Sequence, residues 1–188
     1  MLKDYENNNP QALELTSGEI IHWQGKPKKN GFIFTKSVAF LPIAIVWLCL
    51  DLEIIISSII EGEFLLFIIP FFTLHLMPVW IWLGNLISAR SRWKNTTYYI
   101  TNKRIVFQGG FFAVNETSLF FKEINNVNHQ IGLFNKVFHS GNISFDSFGD
   151  KTNVFEHLEN AKEVYNLVQP MIYNLQRDTE FPNDLRPQ

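Results

Sequence analysis

The side chains in this sequence best suited to nucleophilic or metal chemistry are Cys49 and the histidines His22, His75, His129, His139 and His157. No two of these histidines stand at the short spacing that puts two ligands on one helix face or one turn. A lone cysteine cannot build a thiolate zinc site or an internal disulfide. Ser140 follows His139, but sequence neighbours rarely form a nucleophile–base pair, and no Gly-x-Ser-x-Gly elbow surrounds Ser140. Asp146 and Asp150 could pair as acids, but their setting favours a solvated turn. Gly109-Gly110 reads as a reversal of the chain, not as a phosphate cradle. These residues predict no enzyme, no metal and no cofactor.

Binding chemistry is the alternative. Arg90, Arg92 and Lys94 form one basic group, and Lys103 and Arg104 form a second close behind it. Cations held near an anionic lipid surface contribute about 1 kcal/mol each. All five are therefore candidate headgroup contacts. In the competing reading, Asn102-Lys103 is a solvated turn, Arg104 meets a local acid or carbonyl, and the other arginines only set topology. A net charge of −2 gives no electrostatic footprint for nucleic acid.

The elements that carry these residues follow from a split in composition. The mean hydropathy of the 188 residues is near zero, yet apolar residues crowd between Phe32 and Ile87. Phe64 to Ile87 contains no Asp, Glu, Lys or Arg, enough to cover a hydrocarbon core of roughly 30 Å. Pro70 and Pro78 predict bends there, and Trp80, Trp82 and Trp93 cluster toward one end. An earlier span is expected over about 36–57, with Lys36 snorkelling at its start. Asp51 and Glu53 then read as interfacial acids near its far end, or as a proton or ion site. His75 reads as a hydrogen-bonded histidine between the two helices.

Lys26, Lys28, Lys29 and Lys36 precede the first span, and Arg90, Arg92, Lys94, Lys103 and Arg104 follow the second. The connection carries Asp51, Glu53, Glu61 and Glu63 and no Lys or Arg. Positive residues remain on the cytoplasmic side. Both termini are expected there, with the acidic turn outside. The start, Met1 to Gln24, lacks the apolar stretch of a signal peptide. The expected organisation is a cytoplasmic segment over 1–31, two spans within 32–88 (about 36–57 and 64–87), a β-rich cytoplasmic domain over 96–176 and a flexible tail over 177–188.

Within that domain, Thr97 to Thr101 and Ile105 to Gln108 are rich in aromatic and β-branched residues, with Asn102-Lys103 as the turn between two strands. Phe111 to Val114, Thr117 to Phe121, Ile124 to Asn128 and Gly141 to Ser147 read as further strands, and Gly132 to Phe138 as a short helical turn. Asn153 with Glu156 resembles a capping box. Phe155, Leu158, Ala161, Tyr165 and Val168 then follow at helical spacing. That pattern predicts a closing helix from Asn153, ended or kinked at Pro170. Glu19 to Gln24 fits either an added strand or an interfacial stretch.

The order of "YYITNKRIVFQGG", "LFFKEINNVNHQIGLFNKVFHSGNISFDSFGD" and a final helix resembles bacterial membrane proteins with a PH-like domain, a family first described as a domain of unknown function. The matching positions are Tyr98, Ile100, Thr101, Asn102, Arg104, Gly109, Ile124, Val127, Gly141 and Ile143. A stretch like "GEIIHWQGKP" and two transmembrane helices upstream are usual in that family. The likeness covers roughly Ser17 to Val168. It implies a membrane α+β protein. The helical hairpin would be followed by a curled, partly open antiparallel sheet of about seven strands with a C-terminal helix. It implies the bacterial cytoplasmic membrane as location. For some relatives it implies roles in envelope stress or in resistance to membrane-active peptides.

The expected function is a non-catalytic interaction or assembly module in the lipid bilayer, with a protein partner or a second copy of itself. The alternative is a module that senses or handles anionic lipid at the inner leaflet.

Overall fold

The structure, a computed structural model, describes residues 13–62, 65–148 and 151–180. The polar start before Leu13, Glu63, Phe64, Asp150 and the tail from 181 lie outside them.

The chain opens with a short strand, β1 (Ile21–Gly25), and only then enters its helices. α1 (Lys29–Ser37) leads through a 3₁₀ turn into α2 (Leu41–Glu61). Pro42 stands at the start of α2, where its missing N–H has no partner to lose. Gly62 ends the helix at φ +69°, a left-handed cap that glycine adopts without strain. The 21 residues of α2 span about 31 Å. From Lys29 to Glu61 the helical run is 33 residues long, and 11% of its most apolar window is buried. It is the one described helix long and apolar enough by itself to cross a membrane.

α3 (Leu65–His75) and α4 (Met77–Asn95) meet at a bend of 60°. The sequence places the cause at Pro78, which has no N–H to give Leu74. Two indoles occupy carbonyls beside the break. Trp80 Nε1 donates to the Thr73 oxygen and Trp47 Nε1 to the His75 oxygen, each at 2.9 Å. Against this break lies Asp51, 2% exposed at the middle of α2. Its Oδ1 is 3.3 Å from His75 Nε2, while its Oδ2 is buried without a hydrogen-bond partner among the described residues. Glu53, two residues on, is exposed.

β2 (Thr97–Thr101) and β3 (Arg104–Gly109) form the expected hairpin. β4 (Asn115–Phe120) adds to β3, and β1 adds to the free side of β2. The resulting antiparallel sheet has the order β1-β2-β3-β4. The second sheet is β5 (Ile124–Gln130), β6 (Gly141–Ser147) and β7 (Lys151–Leu158), also antiparallel. A short α5 (Leu133–Val137) joins β5 to β6, and α6 (Ala161–Glu180) closes the domain. The inner faces of both sheets and one face of α6 make the core: Tyr98, Ile100, Ile105, Phe121, Ile143, Phe145, Phe155, Leu158, Val164 and Val168 are all buried.

Two expectations fail. Phe111 to Val114 is a tight turn and not a strand, because Gly110 at φ +155° lets the chain reverse at once. A Cβ there would stand 1.9 Å from the Ala113 oxygen, so the turn excludes any other residue. Asn153 to Leu158 is strand, not helix. The helix begins at Ala161, after a second Asn-x-x-Glu pattern at Asn160 and Glu163. Pro170 does not end it. Asn166, whose carbonyl loses its donor to the proline ring, lies on the exposed face, where water replaces the missing bond.

Candidate functional site

Pairing of β1 with β2 decides where the functional surface lies. Trp23 stands opposite Ile100 and Gly25 opposite Tyr98, so the chain leaves and re-enters one sheet on adjacent strands. The beginning of α1 and the end of α4 are thereby brought together. Trp93 Nε1 donates to the Pro27 oxygen at 2.8 Å, and Lys26 Nζ to the Lys94 oxygen at 3.1 Å. Lys29 Nζ lies 5.4 Å from the centre of the Trp93 ring.

A cleft of about 650 Å³ opens where these helix ends meet the two sheets. Phe32 and Lys36 of α1, Arg92 of α4 and Thr96 just after it, Tyr98 and Phe107 of the first sheet and Val154 and Glu156 of β7 line it, among others. The wall is thus part aromatic and part polar, as a site for an amphiphile or a peptide must be. Lys36 Nζ is held at 2.8 Å by Glu156 Oε1 and lies over the Phe32 ring. Among the described residues the side chains of Arg90, Arg92 and Lys94 have no hydrogen-bond or ion-pair partner, while the Arg92 and Lys94 carbonyls accept from Thr96 Oγ1 and Lys26 Nζ. Of these three cations in the last turns of α4, Arg92 lines the cleft.

Lys103 and Arg104 lie elsewhere. They follow Thr101 at the opposite end of β2, about 13 Å along the strand from Thr97, so the structure splits the five basic residues into two groups. Arg104 is enclosed. Its Nε donates to Glu19 Oε1 at 2.9 Å, Nη1 to Ser118 Oγ at 2.7 Å and Nη2 to the Glu14 oxygen at 2.8 Å. Lys103 Nζ donates to the Ser17 oxygen at 2.6 Å. Thr101 Oγ1 accepts from the backbone N–H groups of Lys103 and Arg104 and so shapes the turn. Asn102 ties the same turn to the segment before β1 through Gly18 and Ile20. Burial raises the pKa of Glu19, but the Arg104 guanidinium and the Thr16 N–H and hydroxyl outweigh it and lower it to about 2.

A second joint binds α1 to the domain. His157 Nε2 is 2.9 Å from Thr35 Oγ1, and Nδ1 is 3.1 Å from Ser140 Oγ. The His157 carbonyl accepts from Lys28 N–H at 2.7 Å. Gly31 permits this approach, since a Cβ there would lie 2.7 Å from His157 Nδ1. Phe34 packs edge-on against Phe134 of α5. Burial depresses the pKa of His157, with the nearby Lys36 adding to the effect and Glu156 opposing it. The unfolded chain thus takes up a proton near pH 6.5 that the folded joint resists, and stability falls as pH drops through that value. His157→Asn keeps a residue that tolerates the observed φ of +51°. In unfolding titrations between pH 7 and 5 this variant is expected to lose less stability than the parent. Equal slopes would refute the joint's role.

Sequence reasoning singled out neither Glu19 nor Glu156 nor His157 as a functional partner. Their partners lie 85 to 122 residues away, and local pattern carries no signal over that distance. Asp146 accepts from Asn128 Nδ2 and Thr152 Oγ1 and braces the second sheet.

No curated protein matched. A solved structure from Shewanella loihica PV-4, a DUF1696 family protein with a pleckstrin-homology domain, is 20% identical, covering 45% of this chain and 74% of its own, with a TM-score of 0.34. The family model described as "Bacterial PH domain" matches residues 39–172. Seven antiparallel strands in two sheets with a closing helix, together with a family match over most of its length, make this chain a member of the bacterial PH domain family.

Proposed function

We propose that this protein is a membrane-anchored, non-catalytic interaction module whose PH-like domain is held against the inner leaflet. The observation that carries this reading is the surface of α2. Ile43, Val46, Leu50, Leu52, Ile54, Ile56, Ile59 and Ile60 are all exposed around a helix as long as a bilayer core is thick. A folded domain of this size has no other mass to cover such a surface. α3 and α4 supply the second, bent crossing, which makes the protein multi-pass. The basic residues at the ends of α1 and α4 support a cytoplasmic position for both termini. The cleft at the helix ends would receive a protein segment or a second copy of the chain. A part in envelope stress is consistent with this architecture and would appear as a changed envelope-stress response on deletion.

Alkaline carbonate washing of membranes containing the full chain is expected to leave it in the pellet. Recovery of folded protein in the aqueous fraction without detergent would refute membrane anchoring. Crosslinking in intact membranes is expected to capture a neighbour through the domain, and isolated monomers alone would count against an interaction role. The second reading, anionic-lipid sensing, is favoured by the unpartnered Arg90, Arg92 and Lys94. Lys103 and Arg104 would join only by leaving their present partners. Under that reading, Arg90→Glu with Arg92→Glu weakens full-length protein binding to phosphatidylglycerol vesicles relative to phosphatidylcholine. Indifference to both the charge reversal and the lipid would eliminate it.

A further inference from the structure

The turn between β3 and β4 does work that neither reading above assigns. Its sequence is Gly110-Phe111-Phe112-Ala113-Val114, five residues without a charge. Phe112 is 92% exposed, more than any other large apolar residue described. Isolated exposed apolar residues are ordinary, but this one is held in place. Ser91 Oγ donates to the Phe111 oxygen at 3.0 Å, and Asn95 Nδ2 lies 3.2 Å from both the Gly110 and the Phe111 oxygens. The Phe111 and Phe112 rings are 4.0 Å apart. The loop is thus clamped to the last turns of α4 with its phenylalanine directed away from the protein.

Its height along α4 identifies what it meets. Ile87 is exposed and is the last large apolar residue of α4 before Arg90. Ser91 follows it by four residues, about 6 Å along the axis. A bilayer's headgroup layer extends about 5–8 Å beyond each face of the hydrocarbon. The Ser91 end of the clamp therefore lies at headgroup depth, level with Arg90 and Arg92, where aromatic rings and cations are both favoured, and its Asn95 end lies about 6 Å further out. The geometry points to Phe112 as an interfacial anchor, a ring inserted at the headgroup–acyl boundary of the leaflet that α4 leaves. It would fix the tilt of the PH-like domain so that the adjacent cleft faces the lipid. This inference rests on the membrane reading above.

Phe120 provides an internal control. It is also exposed, but sits at the other end of the same hairpin, opposite Arg104. In a Cys49→Ser background, full-length protein carrying Phe112→Cys, Phe120→Cys or Ile56→Cys is labelled with an environment-sensitive fluorophore. Each is reconstituted in nanodiscs of phosphatidylglycerol and phosphatidylcholine, with and without doxyl-labelled lipid. The expected result is blue-shifted, lipid-quenched emission at positions 112 and 56, and water-like, unquenched emission at 120. A position-112 probe as wet as that at 120, beside a quenched probe at 56, overturns the anchor while leaving the span intact. If that wet probe crosslinks to a protein in native membranes, the loop is a partner surface and the anchor is likewise overturned. An unquenched probe at 56 as well overturns the membrane reading itself.

Discussion

Arg104→Ala is expected to destabilise the protein by about 3–5 kcal/mol, the cost of leaving a buried charge without its partner. The abandoned charge is Glu19, whose side chain is 0% exposed. In the parent its two oxygens accept from Arg104, from Thr16 N–H and from the Thr16 hydroxyl. The alanine leaves the carboxylate with the Thr16 donors alone and removes the support under Ser118 and the Glu14 carbonyl. Denaturant unfolding of the detergent-solubilised full chain measures the effect. Glu19→Gln combined with Arg104→Met removes both charges and is expected to recover part of the loss.

The same pair fixes an acid limit. The folded pKa of Glu19 is depressed, so its contribution is present above the ordinary carboxylate range and is lost as pH falls toward about 2. Glu19→Gln should flatten stability across that window, which lies below the His157 window. A loss under about 1 kcal/mol for Arg104→Ala would mean the pair behaves like an exposed one. Arg104 would then be free for a headgroup after all.

Phe155→Ala is the other large expected loss, about 3–5 kcal/mol. Phe155 is fully buried and joins the two sheets. Its ring centre lies 4.4 Å from that of Tyr98, 4.8 Å from Phe107, 5.0 Å from Phe145 and 5.8 Å from Trp23. Tyr98, Phe107 and Trp23 belong to the first sheet, and Phe145 and Phe155 to the second. Truncation removes aromatic contacts on every side, and strands on both sides of the gap resist collapse into it. Phe155→Leu retains much of the volume and should cost less. Equal melting of Phe155→Ala and the parent would show that the sheets do not meet through this ring.

Phe155 also shows why the closing helix was misplaced. Ile143 pairs with Phe155 and Gly141 with Leu158, so two steps on β6 answer three on β7. The extra residue is a bulge, and His157 takes its left-handed conformation there. Phe155 and Leu158 both turn inward, three residues apart, and that spacing on paper is helical. The bulge's cause lies in the partner strand and in α1, which bonds to His157 on one edge. Glu19 to Gln24 supplies the added strand, β1, one of the two roles its sequence fits, and what local pattern does not show is its partner. β1 pairs with a strand more than seventy residues further on, after all the membrane-like helices have passed.

Local composition by itself determined the apolar middle of the chain, the one-signed charges that flank it, the β2–β3 hairpin and the absence of a recognisable catalytic motif. Each is a property of neighbouring residues, set by periodicity, turn chemistry or charge. Only the tertiary structure decided that Arg104 is enclosed while the Arg92 side chain has no partner among the described residues, that Asp51 meets His75, and that Phe112 stands clamped to α4. These depend on which distant segments share a face, and long-range pairing is chosen by the packing of the whole core.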